Sequence, residues 1–160
     1  PNVAVYASDI ISLKLARHNA NNVGVRVHFK RGNLLDAFPE LKVDTIVCNP
    51  PYIPSTRYWD LPPEVLYEPR TSYDGGTDGL EIIKQLLPQT VSHLTPHGVL
   101  LIELDSTQSD KVLELAHQYY PYACILKDTF GKPRFLVTSN RDITTHPWET
   151  LRDRFMAGLP

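Results

Sequence analysis

The run Val99-Leu100-Leu101-Ile102-Glu103-Leu104 is apolar at nearly every position. A strand with one wet face alternates polar and apolar residues, so an unbroken apolar run marks a strand covered on both faces. That is the property of a parallel sheet layered between helices, and the remaining pattern agrees with it. A buried strand is predicted at 3–7, closing at Asp9. Ser12 is placed to cap a helix in which Leu13, Ala16 and Ala20 recur at helical spacing, and Asn21-Asn22-Val23-Gly24 breaks it. Residues 25–29 alternate with the strand period up to Gly32-Asn33, and 43–48 form a third strand. A helix follows over 79–94 with Ile83, Leu87, Val91 and Leu94 on one face, and Pro88 inside it is expected to kink or split it. Another helix, over 108–119, turns Val112, Leu115, Ala116 and Tyr119 inward. Two closing strands, 122–127 and 133–139, flank a turn at Gly131. Strands alternating with helices give an α/β fold with a mainly parallel sheet, and the closing pair adds an antiparallel edge.

At 160 residues the chain is long enough for one domain with a single core. Its net charge of -2 argues against a broad basic surface for nucleic acid. Cys48 and Cys124 lie far apart without CxxC spacing, which speaks against a disulfide framework or a zinc site and for a reducing compartment. No apolar run is long enough to cross a bilayer. The six histidines show no metal-ligand spacing, so no metal is expected.

Val43–Cys48 runs directly into Asn49-Pro50-Pro51-Tyr52. Adjacent prolines cannot continue a central strand, so the chain must leave the sheet at this carboxyl end, where open α/β sheets bind their ligands. Asp9, Asn33 and Glu103 fall at or near such ends too. An Asn side-chain oxygen followed by a proline carbonyl offers two acceptors to a planar NH2 group. Amide nitrogen is a poor nucleophile, and holding both N–H groups would orient it and favour the positive charge developing there. Tyr52 would stack on the flat group. The simpler alternative is a strand-to-loop turn.

Asp9 is placed to take ribose hydroxyls at a strand end, or else to cap the following helix. Asn33 could bond an adenine edge with Leu34 packing on the ring, or form a plain Gly-Asn turn. Residues 53–78 are rich in Pro, Gly, Asp and Tyr with little periodicity, and a loop of that length inside a compact domain is often functional.

This chain resembles the HemK/PrmC-type glutamine methyltransferases. The resemblance rests on Asn49-Pro50-Pro51-Tyr52-Ile53, the Glu68-Pro69 dipeptide, Gly75-Gly76-Thr77-Asp78-Gly79-Leu80 opening a helix, and a strand ending Leu101-Ile102-Glu103 followed by Gln108. It covers residues 3–139 and implies a Rossmann-like class I methyltransferase sheet, S-adenosyl-L-methionine as donor, and a glutamine of a peptide chain release factor as acceptor. It implies catalytic roles for Asn49, Pro50 and Tyr52, and substrate-binding roles for these three together with Pro51 and Glu68. Asp9, Asn33, Leu34 and Asn49 would line the cofactor, and a bacterial cytoplasm is the implied setting. The rivals are a nucleic-acid adenine methyltransferase and a non-catalytic binding module of the same fold.

The sequence also departs from that pattern. It shows no glycine-rich first motif, and Pro1-Asn2-Val3 leads straight into a strand, so a start in mid-domain is expected, with the sheet's first strand and an N-terminal helical domain missing. The partial catalytic domain would span 1–140. By itself such a chain is expected to be inactive and to bind the donor poorly. Leu34 stands where some members have an aromatic residue. A tail over 141–160 has Trp148, Leu151, Phe155 and Leu159 at amphipathic spacing, which predicts a short helix.

Overall fold

The computed structural model describes residues 3–142 and divides into two compact units, 1–41 and 42–160. In the first unit, β1 (Val5–Asp9) leads through α1 (Leu13–Asn22) to β2 (Val27–Arg31). The two strands pair in parallel, Val5 opposite Val27 and Asp9 opposite Arg31, so both carboxyl ends lie at one edge. β2 begins two residues later than its alternation suggests, because the helix exit consumes Val25. Gly24 takes φ 70°, and the Val23 and Val25 N–H groups bond back to Asn19 and Ala20 carbonyls. Ser12 occupies the cap position, but its side chain makes no capping bond; Asp9 instead accepts the Ile11 and Ser12 N–H groups just ahead of the helix. The strand expected to be buried is not, with Val5 43% and Tyr6 38% exposed. Among the described residues β1 pairs only with β2.

The second unit has a sheet ordered β3-β4-β6-β5, formed by β3 (Val43–Cys48), β4 (Leu94–Glu103), β5 (Tyr122–Lys127) and β6 (Pro133–Ser139). β3 and β4 are parallel, while β6 lies antiparallel to both β4 and β5. The expected parallel sheet with an antiparallel closing pair is therefore present. Leu100, Ile102, Leu104 and Leu136 are fully buried, as the apolar run required.

Residues between β3 and the next long helix are not a bare loop. Helical turns at Ser55–Asp60 and Arg70–Ser72 flank the short α2 (Pro63–Leu66). α3 (Glu81–His93) runs through Pro88 without splitting. Proline's missing N–H would have faced the Lys84 carbonyl, and both residues lie on the exposed side, where the carbonyl is not shut away from solvent. Its inward face is Ile83, Leu86, Leu87 and Thr90, whereas Val91 is exposed. Thr90 is buried because its hydroxyl bonds the Leu87 carbonyl and the Tyr120 hydroxyl, each at 2.7 Å. Leu94, expected on that helix, is the first residue of β4. α4 (Ser109–His117) buries Val112 and Ala116, and Tyr120 rather than Tyr119 completes its inner face. The tail predicted as a helix lies outside the described residues.

Candidate active site

In the first unit the strand ends gather the predicted cofactor residues. Asp9 closes β1, and its Oδ1 accepts the N–H groups of Ile11 at 2.5 Å and Ser12 at 2.7 Å. One oxygen closes the turn leading into α1, and Oδ2 has no hydrogen-bond partner among the described residues. Asn33 is exposed just past β2, with no capping bond from its side chain. Leu34 stands at φ 47°, a left-handed conformation that costs a branched side chain free energy. It is held there by the Ser8 hydroxyl, which donates to the Leu34 carbonyl at 2.7 Å. The Gly32 N–H donates to the Asp9 carbonyl at 3.2 Å, tying the two strand ends together.

In the second unit Asn49 leaves the end of β3 with its side chain exposed, while Pro50 is buried beneath it. Neither the Asn49 side chain nor the Pro50 carbonyl has a hydrogen-bond partner among the described residues, so both acceptors are unengaged, the first exposed and the second on a buried residue. Tyr52 folds back over the sheet end, and its hydroxyl donates to Glu103 Oε1 at 2.9 Å. Burial first, and the Glu103 carboxylate second, hold the Tyr52 phenol above the usual tyrosine range, so it remains a neutral donor. Cys48, half-buried rather than fully buried, has its thiol pushed up to about 11 by burial and is not a nucleophile at neutral pH.

The glycine-rich run leads into α3 as expected, and its Gly75 and Gly79 pack on this turn. The Ile53 N–H donates to the Tyr73 carbonyl at 2.8 Å and the Gly75 N–H to the Ile53 carbonyl at 2.9 Å. A Cβ at Gly75 would come within 2.8 Å of the Pro51 carbonyl oxygen and Tyr52 Cα, which only glycine avoids. Asp74 braces the same segment, accepting from the Ser55 hydroxyl at 2.6 Å, the Gly76 N–H at 2.9 Å and Arg70 at 2.6 Å. These bonds, with the Ser55 hydroxyl foremost, hold its carboxyl below the usual range.

Glu68 is exposed and accepts from the Ser72 hydroxyl at 2.8 Å, so its bonding stays within its own turn. Sequence reasoning reaches neither the partnership of Glu103 with Tyr52 nor the bracing by Asp74. Glu103 carries a signal, a lone carboxylate ending an apolar strand. Asp74 carries none, being one acid among several in its loop.

The Methyltransferase small domain family model matches residues 1–58. A ribosomal protein L11 methylase from Lactobacillus delbrueckii subsp. bulgaricus superposes with TM-score 0.58 at 24% identity, covering 85% of this chain and 57% of that one. A methyltransferase from Pyrococcus furiosus gives 0.65 at 21% identity, covering 87% and 64%. The fold is that of the class I methyltransferases. Within that class the chain is a relative of the HemK/PrmC-type glutamine methyltransferases. It is 38% identical over 148 residues to the release factor glutamine methyltransferase of Moorella thermoacetica, a match spanning 89% of this chain and 52% of that protein. The enzyme of the same name from Thermosynechococcus vestitus is 42% identical, over 86% of this chain and 50% of its own length. The ribosomal protein uL3 glutamine methyltransferase of Bradyrhizobium diazoefficiens is 38% identical over 89% and 46%. The chain thus spans about half the length of these relatives.

Proposed function

We propose that this chain provides the catalytic residues of an S-adenosyl-L-methionine-dependent methyltransferase acting on the side-chain amide nitrogen of a glutamine in a peptide chain release factor. The observation that carries this reading is the pair of unengaged acceptors, Asn49 and the Pro50 carbonyl, on a turn whose Tyr52 is fixed by Glu103. The relatives at 38–42% identity support the choice of acceptor.

Asn49 Oδ1 and the Pro50 carbonyl hold the two N–H groups of the glutamine amide. Taking up both N–H dipoles sets the direction of the nitrogen lone pair and disperses the positive charge that builds on nitrogen. The Tyr52 ring and Pro51 wall the flat amide, and Glu68 lies on the downstream loop as a further substrate contact. The donor supplies a methyl group activated by its sulfonium charge, so positioning can account for most of the catalysis. The residues present suit that donor: Asp9 retains a free carboxylate oxygen for ribose hydroxyls, and Asn33 with the left-handed Leu34 offers an edge and a face to adenine.

A nucleic-acid acceptor is disfavoured by the loop itself. Its arginines are already engaged, Arg57 with Asp105 at 2.8 Å and Arg70 with Asp74 at 2.6 Å, which leaves little to neutralise phosphates. Both described cysteines are free, in keeping with a reducing bacterial cytoplasm. The test is to incubate the full-length protein and labelled donor with a release factor, with uL3 and with DNA, and to locate the label by mass spectrometry. Methylation of a release-factor glutamine is expected. Labelling of uL3 alone would move the acceptor to that protein, and labelling of DNA alone would overturn the assignment.

A further inference from the structure

Gln108 lies just before α4, far in sequence from the Asn49–Tyr52 turn, and is 4% exposed. Its Nε2 donates to the Tyr52 carbonyl at 2.9 Å and to the Asp78 carbonyl at 3.1 Å. Two carbonyl acceptors at one end settle the amide orientation, since the flipped form would face oxygen with oxygen. Its Oε1 is buried without a hydrogen-bond partner. A buried polar group that satisfies two neighbours while its own acceptor goes unpaired calls for an explanation other than packing. The space around it is equally specific: a Cβ at Gly79, itself at φ 74°, would collide with Gln108 Nε2 and the Tyr52 carbonyl oxygen. The glycine thus lets the loop and the amide meet on the same carbonyl.

We infer that Gln108 is a positioning residue that locks the acceptor turn to the Gly75–Leu80 loop, a role that rests on the function proposed above. Tyr52 is gripped at both ends, its hydroxyl by Glu103 and its carbonyl by Gln108. The first bond sets the ring. The second sets the peptide plane that follows the turn, and with it the direction in which Asn49 and the Pro50 carbonyl present their oxygens. Since the acceptor amide must be aimed and not merely bound, a turn free to rock would lose rate before it lost affinity.

Two substitutions test this. Gln108→Met keeps length and volume without donors, and Gln108→Glu keeps shape and polarity but opposes an acceptor to two carbonyls. Hydrogen exchange is read first, on the protein with no substrate present. In both variants the amides of Ile53, Ser55 and Gly75 are expected to exchange roughly tenfold faster or more, with Leu100 and Leu136 unchanged. Where methionine fails to fold, the glutamate variant alone decides. Unchanged exchange in the turn overturns the inference. So does loss of protection throughout the sheet in both variants, which would mark a general core role. In the full-length enzyme, kcat is expected to fall roughly 10- to 100-fold with KM for the donor unchanged. Wild type that methylates no glutamine would sink the proposed function, while the exchange result would still decide whether Gln108 locks the turn.

Discussion

At the residue scale, two side chains carry separable consequences. Asn49→Ala removes one of the two unengaged acceptors without touching any bond among the described residues, so methyl transfer by the full-length enzyme is expected to fall about 10²- to 10³-fold while the thermal melt stays put. Near-normal turnover in that variant would remove Asn49 from the chemistry. Tyr52 has a pH signature. Its phenol is held above the ordinary value of 10.0 by burial and by Glu103, so the folded state keeps this proton more tightly than the unfolded chain. The associated stability is fully present below the ordinary value and is lost as pH climbs through the raised one. An ultraviolet titration of phenolate should show late-ionising tyrosine absorbance that is reduced but not abolished in Tyr52→Phe, because burial raises Tyr120 as well. Loss of ordinary-range absorbance in the variant, with the late portion intact, would contradict the environment described for this ring.

At the scale of elements, the segment from Ile53 to Gly76 is braced by Asp74, which bonds Ser55, the Gly76 N–H and Arg70. Removing that carboxylate in Asp74→Ala leaves Ser55, the Gly76 N–H and Arg70 without their acceptor, and we expect a loss of about 1–3 kcal/mol in urea unfolding. Its carboxyl is depressed by the Ser55 and Gly76 bonds, so the stabilisation exists above the ordinary value of 3.8 and is lost as pH falls through the lowered one. The difference between wild type and variant should accordingly shrink on strong acidification. A constant difference across the acid range would show that the charge of Asp74 contributes nothing.

At the scale of the whole molecule, burial is unevenly shared. Leu100, Ile102, Leu136 and the other residues exposed by 2% or less all belong to the second unit, whereas the deepest apolar residues of the first, Ala20 and Phe38, are each 8% exposed. A unit of 41 residues with so shallow a core is marginal by itself. Limited proteolysis should therefore cut first within residues 1–41 and leave a resistant fragment beginning near Lys42. First cuts inside α3 or β4 would refute this ordering of stability.

What the sequence by itself determined was most of the strands and long helices, and the strand end at which Asn49 stands. A Pro-Pro pair ends a strand whatever surrounds it, an apolar run asks for two covered faces, and a glycine at an exit admits a left-handed residue. These are properties of a residue and its near neighbours, so β3, β5 and β6 were legible to the residue and Asn49 could be placed at a strand end. Helix faces were legible only in part. Periodicity favoured Val91, but a hydroxyl partner from Tyr120, thirty positions away, drew Thr90 inside instead. The same holds for the site's frame. Glu103 meets Tyr52 across 51 residues and Gln108 meets it across 56, and no spacing rule couples such positions. Only the tertiary structure decided those contacts, because they exist once β3 and β4 lie side by side and bring their carboxyl ends to one edge.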